Sequence, residues 1–218
     1  MKRTYPLELI DGHLYMRVGP EWFLIDTGSA YSFAARGGIS ILGEAFRLPK
    51  DLGKITIEWL REKTGEPEVA GLLGNDVLQH FDHIWDVRAG IATLSDDELS
   101  ISGDVVRLKG DPLKTMRVSI NGMAYRPLLD TGAKISYFSD RELSRSPYEG
   151  MVSDFHASIG EYKTPVHRVT MLVGTTPMEL RCASFKPLGW SMDGIIGSDL
   201  IKDRACGYFP RRSVLVLG

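Results

Sequence analysis

The chain has 218 residues, 43% hydrophobic and 25% charged, with 26 basic side chains against 28 acidic ones and a formal net charge of -2. That is enough chain for one or two packed cores, and too little charge of either sign to give an electrostatic reason for nucleic acid as a partner. No window approaches the ~18 apolar residues of a membrane helix and no apolar run follows the basic N-terminus, so the reading is a cytoplasmic protein without a membrane partner. Two cysteines, Cys182 and Cys206, are too few for a disulfide scaffold; reduced thiols are the default, with one bridge left open.

In chain order, Leu14 to Val18 reads as a strand that turns at Gly19-Pro20 into Glu21 to Ile25 and runs into Asp26-Thr27-Gly28. A helix is expected after Asp51 as cap, with Leu52, Ile55, Trp59 and Leu60 at helical spacing, stopped by Gly65 and Pro67. The apolar run Gly71-Leu72-Leu73-Gly74 follows, then a short helix capped by Asn75 or Asp76, then a strand pair over His83 to Val87 and Ile91 to Leu94. The polar stretch from Ser95 to Asp111 marks a boundary between residues 1–100 and 112–218.

Beyond it, Met116 to Ile120 alternates, Asn121-Gly122 supplies a type I′ turn, and Met123 to Leu129 returns into a second Asp130-Thr131-Gly132. Asp154 to Tyr162, Val166 to Val173 and Met178 to Phe185 read as short strands with turns at Gly160 and at Gly174 to Pro177, enough for a projecting hairpin. Gly194-Ile195-Ile196-Gly197 opens onto another short helix capped by Ser198 or Asp199. Gly207 to Phe209 and Val214 to Leu217 close the chain.

One Asp-Thr-Gly arises by chance in roughly one chain of this size in twenty, so a single copy would decide little. Here the second copy lies 104 residues after the first with its flanks in register: Leu24-Ile25 matches Leu128-Leu129, Ser29 matches Ala133, and Ser32 matches Ser136. At an offset of 123, Gly194 to Ile201 lies on Gly71 to Leu78 and the match runs on to Leu217. The sequence therefore reads as one unit written twice, the second with 19 extra residues between its motifs.

Two such loops facing each other would bring Asp26 and Asp130 within hydrogen-bonding reach. Like charges that close share a proton, so one carboxyl can act as base on a water while the other acts as acid on the carbonyl under attack. Thr27 and Thr131 are expected to lock the loops through the opposite backbone, and Gly28 and Gly132 to let backbone N–H groups approach a carboxylate.

The pattern of two apolar residues, Asp-Thr-Gly and Ser29 or Ala133, followed by Gly71 to Gly74 or Gly194 to Gly197, resembles the aspartic peptidases, both pepsin-like and retropepsin-like, over nearly the whole chain. The resemblance implies a mostly β, two-lobed fold with pseudo-twofold symmetry, one aspartate from each lobe, and hydrolysis of a peptide or protein substrate by a water between Asp26 and Asp130. It implies no cofactor and no metal, and a monomer suffices because both aspartates lie in one chain. The first unit leaves little chain for a flap, so the flap is expected from the second unit, over about Met151 to Thr164, with Gly160 at its turn and Tyr162 facing substrate. The Ser29 hydroxyl is expected to favour the ionised form of Asp26, leaving the proton on Asp130.

Rival readings are a peptide-binding scaffold that keeps the fold without turnover, and a subunit that becomes active on assembly or processing. His80 and His83 have H-x-x-H spacing without a full ligand set, which favours surface or helix-end roles over a metal. Arg211-Arg212 reads as a solvated turn, and the two cysteines as small core residues.

Overall fold

The computed structural model describes residues 1–156, 160–184 and 192–218. The protein is mostly β. In the first half, β1 (Lys2–Ile10), β2 (His13–Val18) and β3 (Glu21–Ile25) form a meander, with β4 (Phe33–Ala34), a two-stranded hairpin of β5 (Gly38–Ile41) and β6 (Glu44–Arg47), helix α1 (Ile57–Thr64), β7 (Val69–Leu73), helix α2 (Asn75–Leu78), β8 (Asp82–Asp86) and β9 (Ile91–Ser95) following.

The second half contains β10 (Asp104–Lys109), β11 (Thr115–Met116), β12 (Val118–Ile120), β13 (Met123–Tyr125), β14 (Leu128–Leu129), β15 (Ser136–Phe138) and helix α3 (Asp140–Leu143). Two long strands, β16 (Tyr148–His156) and β17 (Gly160–Val173), are followed by β18 (Thr176–Ser184), β19 (Gly194–Ile196), a 3-10 turn at Ser198–Leu200, β20 (Ala205–Phe209) and β21 (Val214–Leu217).

Two features of this layout position the aspartates. The apolar runs before them, β3 and β14, pair in parallel with the Gly-flanked strands β7 and β19. Both partners are buried throughout, as their unbroken apolar sequences require. The Asp26 and Asp130 backbones then continue this pairing, each N–H donating to the last carbonyl of its neighbour, Leu73 at 3.0 Å and Ile196 at 2.9 Å.

The halves also share a sheet. Strands β1, β9, β8, β20, β21 and β10 pair in that order, all antiparallel, so β8 lies edge to edge with β20. On it Trp85 stacks on Tyr208 with ring centroids 5.2 Å apart, both fully buried. The buried carboxylate of Asp82 receives Arg211 at 3.1 Å and Arg212, and Arg211 also donates to the Asp97 carbonyl at 3.0 Å. Arg211 and Arg212 are thus clamps on a buried charge rather than a solvated turn: an unpaired carboxylate there would be prohibitively desolvated.

Several local expectations shift. α1 begins at Ile57, not after Asp51, because Gly53 at φ +69° and the Leu52–Ile55 bridge turn the chain first; Thr56 caps it by accepting from the Trp59 N–H at 3.2 Å, and Gly65 ends it at φ +72°. Gly74 and Gly197, not their Asn, Asp or Ser followers, hold the cap positions of the short helices. The side chains expected as caps work elsewhere, with Asp76 accepting from Ser32 and Asp199 from Ser136.

The long hairpin is larger than the sequence suggests. β16 and β17 pair from Tyr148 to the His156–Gly160 pair, so Gly160 starts the return strand, at φ +86°, and is not the turn; residues 157–159 and Phe185 lie outside the described residues. Both cysteines are free and buried, burial pushing the Cys206 thiol up to about 12. His83 lies in the core with Nε2 donating to the Leu78 carbonyl at 2.8 Å, while His80 faces Glu44 at 2.9 Å. Among the described residues, no helix is long and apolar enough to cross a membrane, and no cluster of three or more metal-binding side chains occurs.

Candidate active site

The two Asp-Thr-Gly loops meet. The Thr27 hydroxyl donates to the Leu129 carbonyl at 2.9 Å and accepts from the Thr131 N–H at 3.0 Å; the Thr131 hydroxyl donates to the Ile25 carbonyl at 2.7 Å and accepts from the Thr27 N–H at 3.1 Å. Both threonines are buried, so four reciprocal bonds in a dry environment fix one loop against the other.

Within each loop the glycine N–H donates to its own aspartate, Gly28 to Asp26 and Gly132 to Asp130, both at 2.9 Å. The glycines are also where the opposite aspartate sits. A Cβ on Gly28 would lie 2.2 Å from the Asp130 carboxyl carbon, and one on Gly132 would lie 2.6 Å from that of Asp26. No other residue leaves room for the two carboxyls to face each other.

Asp26 and Asp130 share a side-chain hydrogen bond. Asp26 is raised well above the usual carboxylate range, first by burial, then by the charge of Asp130 and by that bond; the Gly28 and Ser29 N–H groups act in the opposite direction. The Ser29 hydroxyl does not reach Asp26. It donates to the Tyr31 carbonyl at 2.7 Å, so the basis for placing the proton on Asp130 is absent and the proton belongs to the pair. Ala133 keeps only the backbone part of this arrangement, its N–H donating to the Asp130 carbonyl at 3.2 Å as Ser29 does to Asp26.

Behind the loops stand braces that the sequence did not reveal. Asn75 donates to the carbonyls of Thr27 at 2.7 Å and Ser29 at 3.0 Å, and its own oxygen accepts from Tyr208 at 3.0 Å. On the other side His13 Nδ1 donates to the Gly132 carbonyl at 3.0 Å, with burial pushing the imidazole pKa down so that the ring is neutral at pH 7. The signal available for Asn75 was its place directly after the second glycine of the apolar run. His13 follows Asp11-Gly12, a hairpin turn with both residues at positive φ, which is the local signal at that position.

Both carboxyls open into a cavity of about 270 Å³. Leu24, Leu72, Ile55, Trp59 and Leu60 line it beside Asp26, and Leu128, Ile195, Ala133 and Tyr137 beside Asp130. Asp154, Phe155 and Tyr162 of the β16–β17 hairpin complete the wall. Tyr162 therefore borders the cavity, whereas Gly160 does not; nor does any residue of the β5–β6 hairpin, and α1 occupies the corresponding side. Tyr137 donates to Asp154 and also bonds Tyr162, and Asp154 accepts from its neighbour Phe155 N–H at 2.8 Å.

Two solved structures are similar in part. The protease of simian foamy virus (mac) is 17% identical, matching 39% of this chain and 90% of its own with a TM-score of 0.32. A retropepsin-like aspartic protease from Rickettsia conorii is 13% identical, matching 52% of this chain and 87% of its own with a TM-score of 0.38. No family model and no curated protein matches the chain.

Proposed function

We propose that the protein is an aspartic endopeptidase that hydrolyses peptide bonds with a water held between Asp26 and Asp130. The observation that carries this reading is the contact of two half-buried carboxyls across reciprocally locked loops, with Asp26 raised by desolvation and by its partner. Such a pair holds one proton over a broad pH range.

The ionised carboxyl takes a proton from the water, whose oxygen attacks the scissile carbonyl carbon, while the protonated carboxyl gives its proton to the carbonyl oxygen. Collapse of the resulting diol breaks the C–N bond as the first carboxyl passes its proton to the departing amine and a diol hydroxyl returns a proton to the second carboxylate, so the pair ends in its starting charge state. The chain's residues supply base, acid and positioning. Apolar side chains on both sides of the aspartates would hold the residues flanking the scissile bond, with the peptide extended and bonded through its main chain.

The test is cleavage of a diverse peptide pool from acidic to neutral pH by the wild type, Asp26→Asn and Asp130→Asn, with a statine-containing peptide as inhibitor. Cleavage is expected from the wild type alone, and the inhibitor abolishes it. A folded wild type that cleaves nothing at any pH would sink the peptidase and leave a peptide-binding module.

A further inference from the structure

The cavity is encircled by contacts. From the Asp130 loop the chain leads to Tyr137, which bonds Asp154 and Tyr162 of the β16–β17 hairpin. The hairpin in turn reaches α1: Phe155 meets Trp59 edge to face with ring centroids 5.4 Å apart, and Glu161 pairs with Lys63 at 2.8 Å. These two contacts are one fitting. Phe155 and Glu161 are direct cross-strand partners, and Trp59 and Lys63 lie one turn apart on α1, so a single rung of the hairpin sits on a single stripe of the helix. α1 is tied down by Arg61 Nε donating to the Val69 carbonyl at 2.8 Å, and β7 leads back through Leu73 to Asp26. The Thr27–Thr131 bonds close the ring.

The rung bridges space on both of its sides. Phe155 borders the aspartate cavity and also, with Lys63, Glu161 and Lys163, a second and more open recess of about 480 Å³. It therefore stands between two recesses rather than filling a core.

Resting on the peptidase reading, we infer that Trp59 and Lys63, with Phe155 and Glu161, determine specificity by closing a ring that a peptide must thread: the protein takes linear, flexible peptides entering by a free end and discriminates against loops and cyclised chains. A linear chain passes through the ring with the rung in place, whereas a closed chain enters only after the rung has lifted. The ion pair is exposed at Glu161 and weakens with salt, so added salt should favour entry of closed chains.

The test uses one statine-containing octapeptide, linear and head-to-tail cyclised, and measures association rates to immobilised protein, a readout that needs no turnover. On the wild type the linear form is expected to associate about tenfold faster than the cyclised one, and Trp59→Ala, Lys63→Glu or Glu161→Lys to bring the two within about twofold, chiefly by speeding the cyclised form. The Lys63→Glu/Glu161→Lys double variant, which restores the pair with its charges exchanged, should recover the wild-type ratio. Amide hydrogen exchange over 148–156 and 160–173 checks that the single variants remain folded and loosen the hairpin, and that the double variant tightens it again. A linear-to-cyclic ratio unchanged in all the single variants, or unmoved exchange in the hairpin, would overturn the ring. Normal threading without cleavage of any peptide would instead defeat the peptidase and leave the ring standing.

Discussion

At the residue scale, protons decide most of what the site can do. Because Asp26 is raised by burial and by Asp130, the singly protonated pair persists to higher pH than two separate carboxyls would allow. The rate profile is expected to be bell-shaped, with its basic limb above the ordinary carboxylate range, as kcat/KM measured from pH 3 to 8 would show. The same shift acts on stability. Asp199 is buried, pushed up to about 7 by that burial, and one of its oxygens has no partner among the described residues. Between its ordinary 3.8 and about 7 the folded protein keeps a proton that the unfolded chain has released, so stability falls as pH rises through that window. At ~1.4 kcal/mol per unit the loss is on the order of 4 kcal/mol. Thermal melts of Asp199→Asn should therefore show a flatter pH dependence than the wild type, the two diverging most above pH 7; parallel curves would contradict this account.

At the element scale, the loops depend on bonds that local sequence barely signals. Thr27→Val or Thr131→Val removes one hydroxyl that both donates and accepts across the loops, with an expected loss of ~1–3 kcal/mol in urea unfolding and a larger proportional loss of activity as the carboxyls separate. Gly28→Ala and Gly132→Ala should keep the fold and lose activity, since the added methyl displaces the facing carboxyl. The strands into the loops, the meeting of Asp26 with Asp130 and the cross-loop role of the threonines were legible, because two copies in register supplied the comparison that a single sequence otherwise lacks. What escaped were contacts made at long range by common residue types. Asn75 looked like a helix cap, yet it braces Thr27 and is itself held by Tyr208, 133 residues away. Arg212 looked solvated because its partner, Asp82, is 130 residues distant. In sequence the carboxylate nearest Ser29 is Asp26, whereas the turn directs its hydroxyl to the Tyr31 carbonyl.

At the scale of the whole molecule, the six-stranded sheet makes the two halves interdependent. With β8 paired to β20, and Asp82 held by Arg211 and Arg212, Arg212→Ala leaves part of a buried charge uncompensated, at a cost of roughly 3–5 kcal/mol. Tryptophan fluorescence and far-ultraviolet circular dichroism should report one coincident urea transition in the wild type and in this variant, the latter at lower midpoint; separate transitions would mean that the shared sheet does not couple the halves. The two sides of the cavity are built differently, an α-helix beside Asp26 and the hairpin with its tyrosines beside Asp130. The cleft therefore has a polarity, and a peptide lying N-to-C meets different surroundings from one lying C-to-N. A palindromic ligand, whose two ends are chemically identical in solution, would lose that equivalence on binding and give two sets of resonances from one molecule.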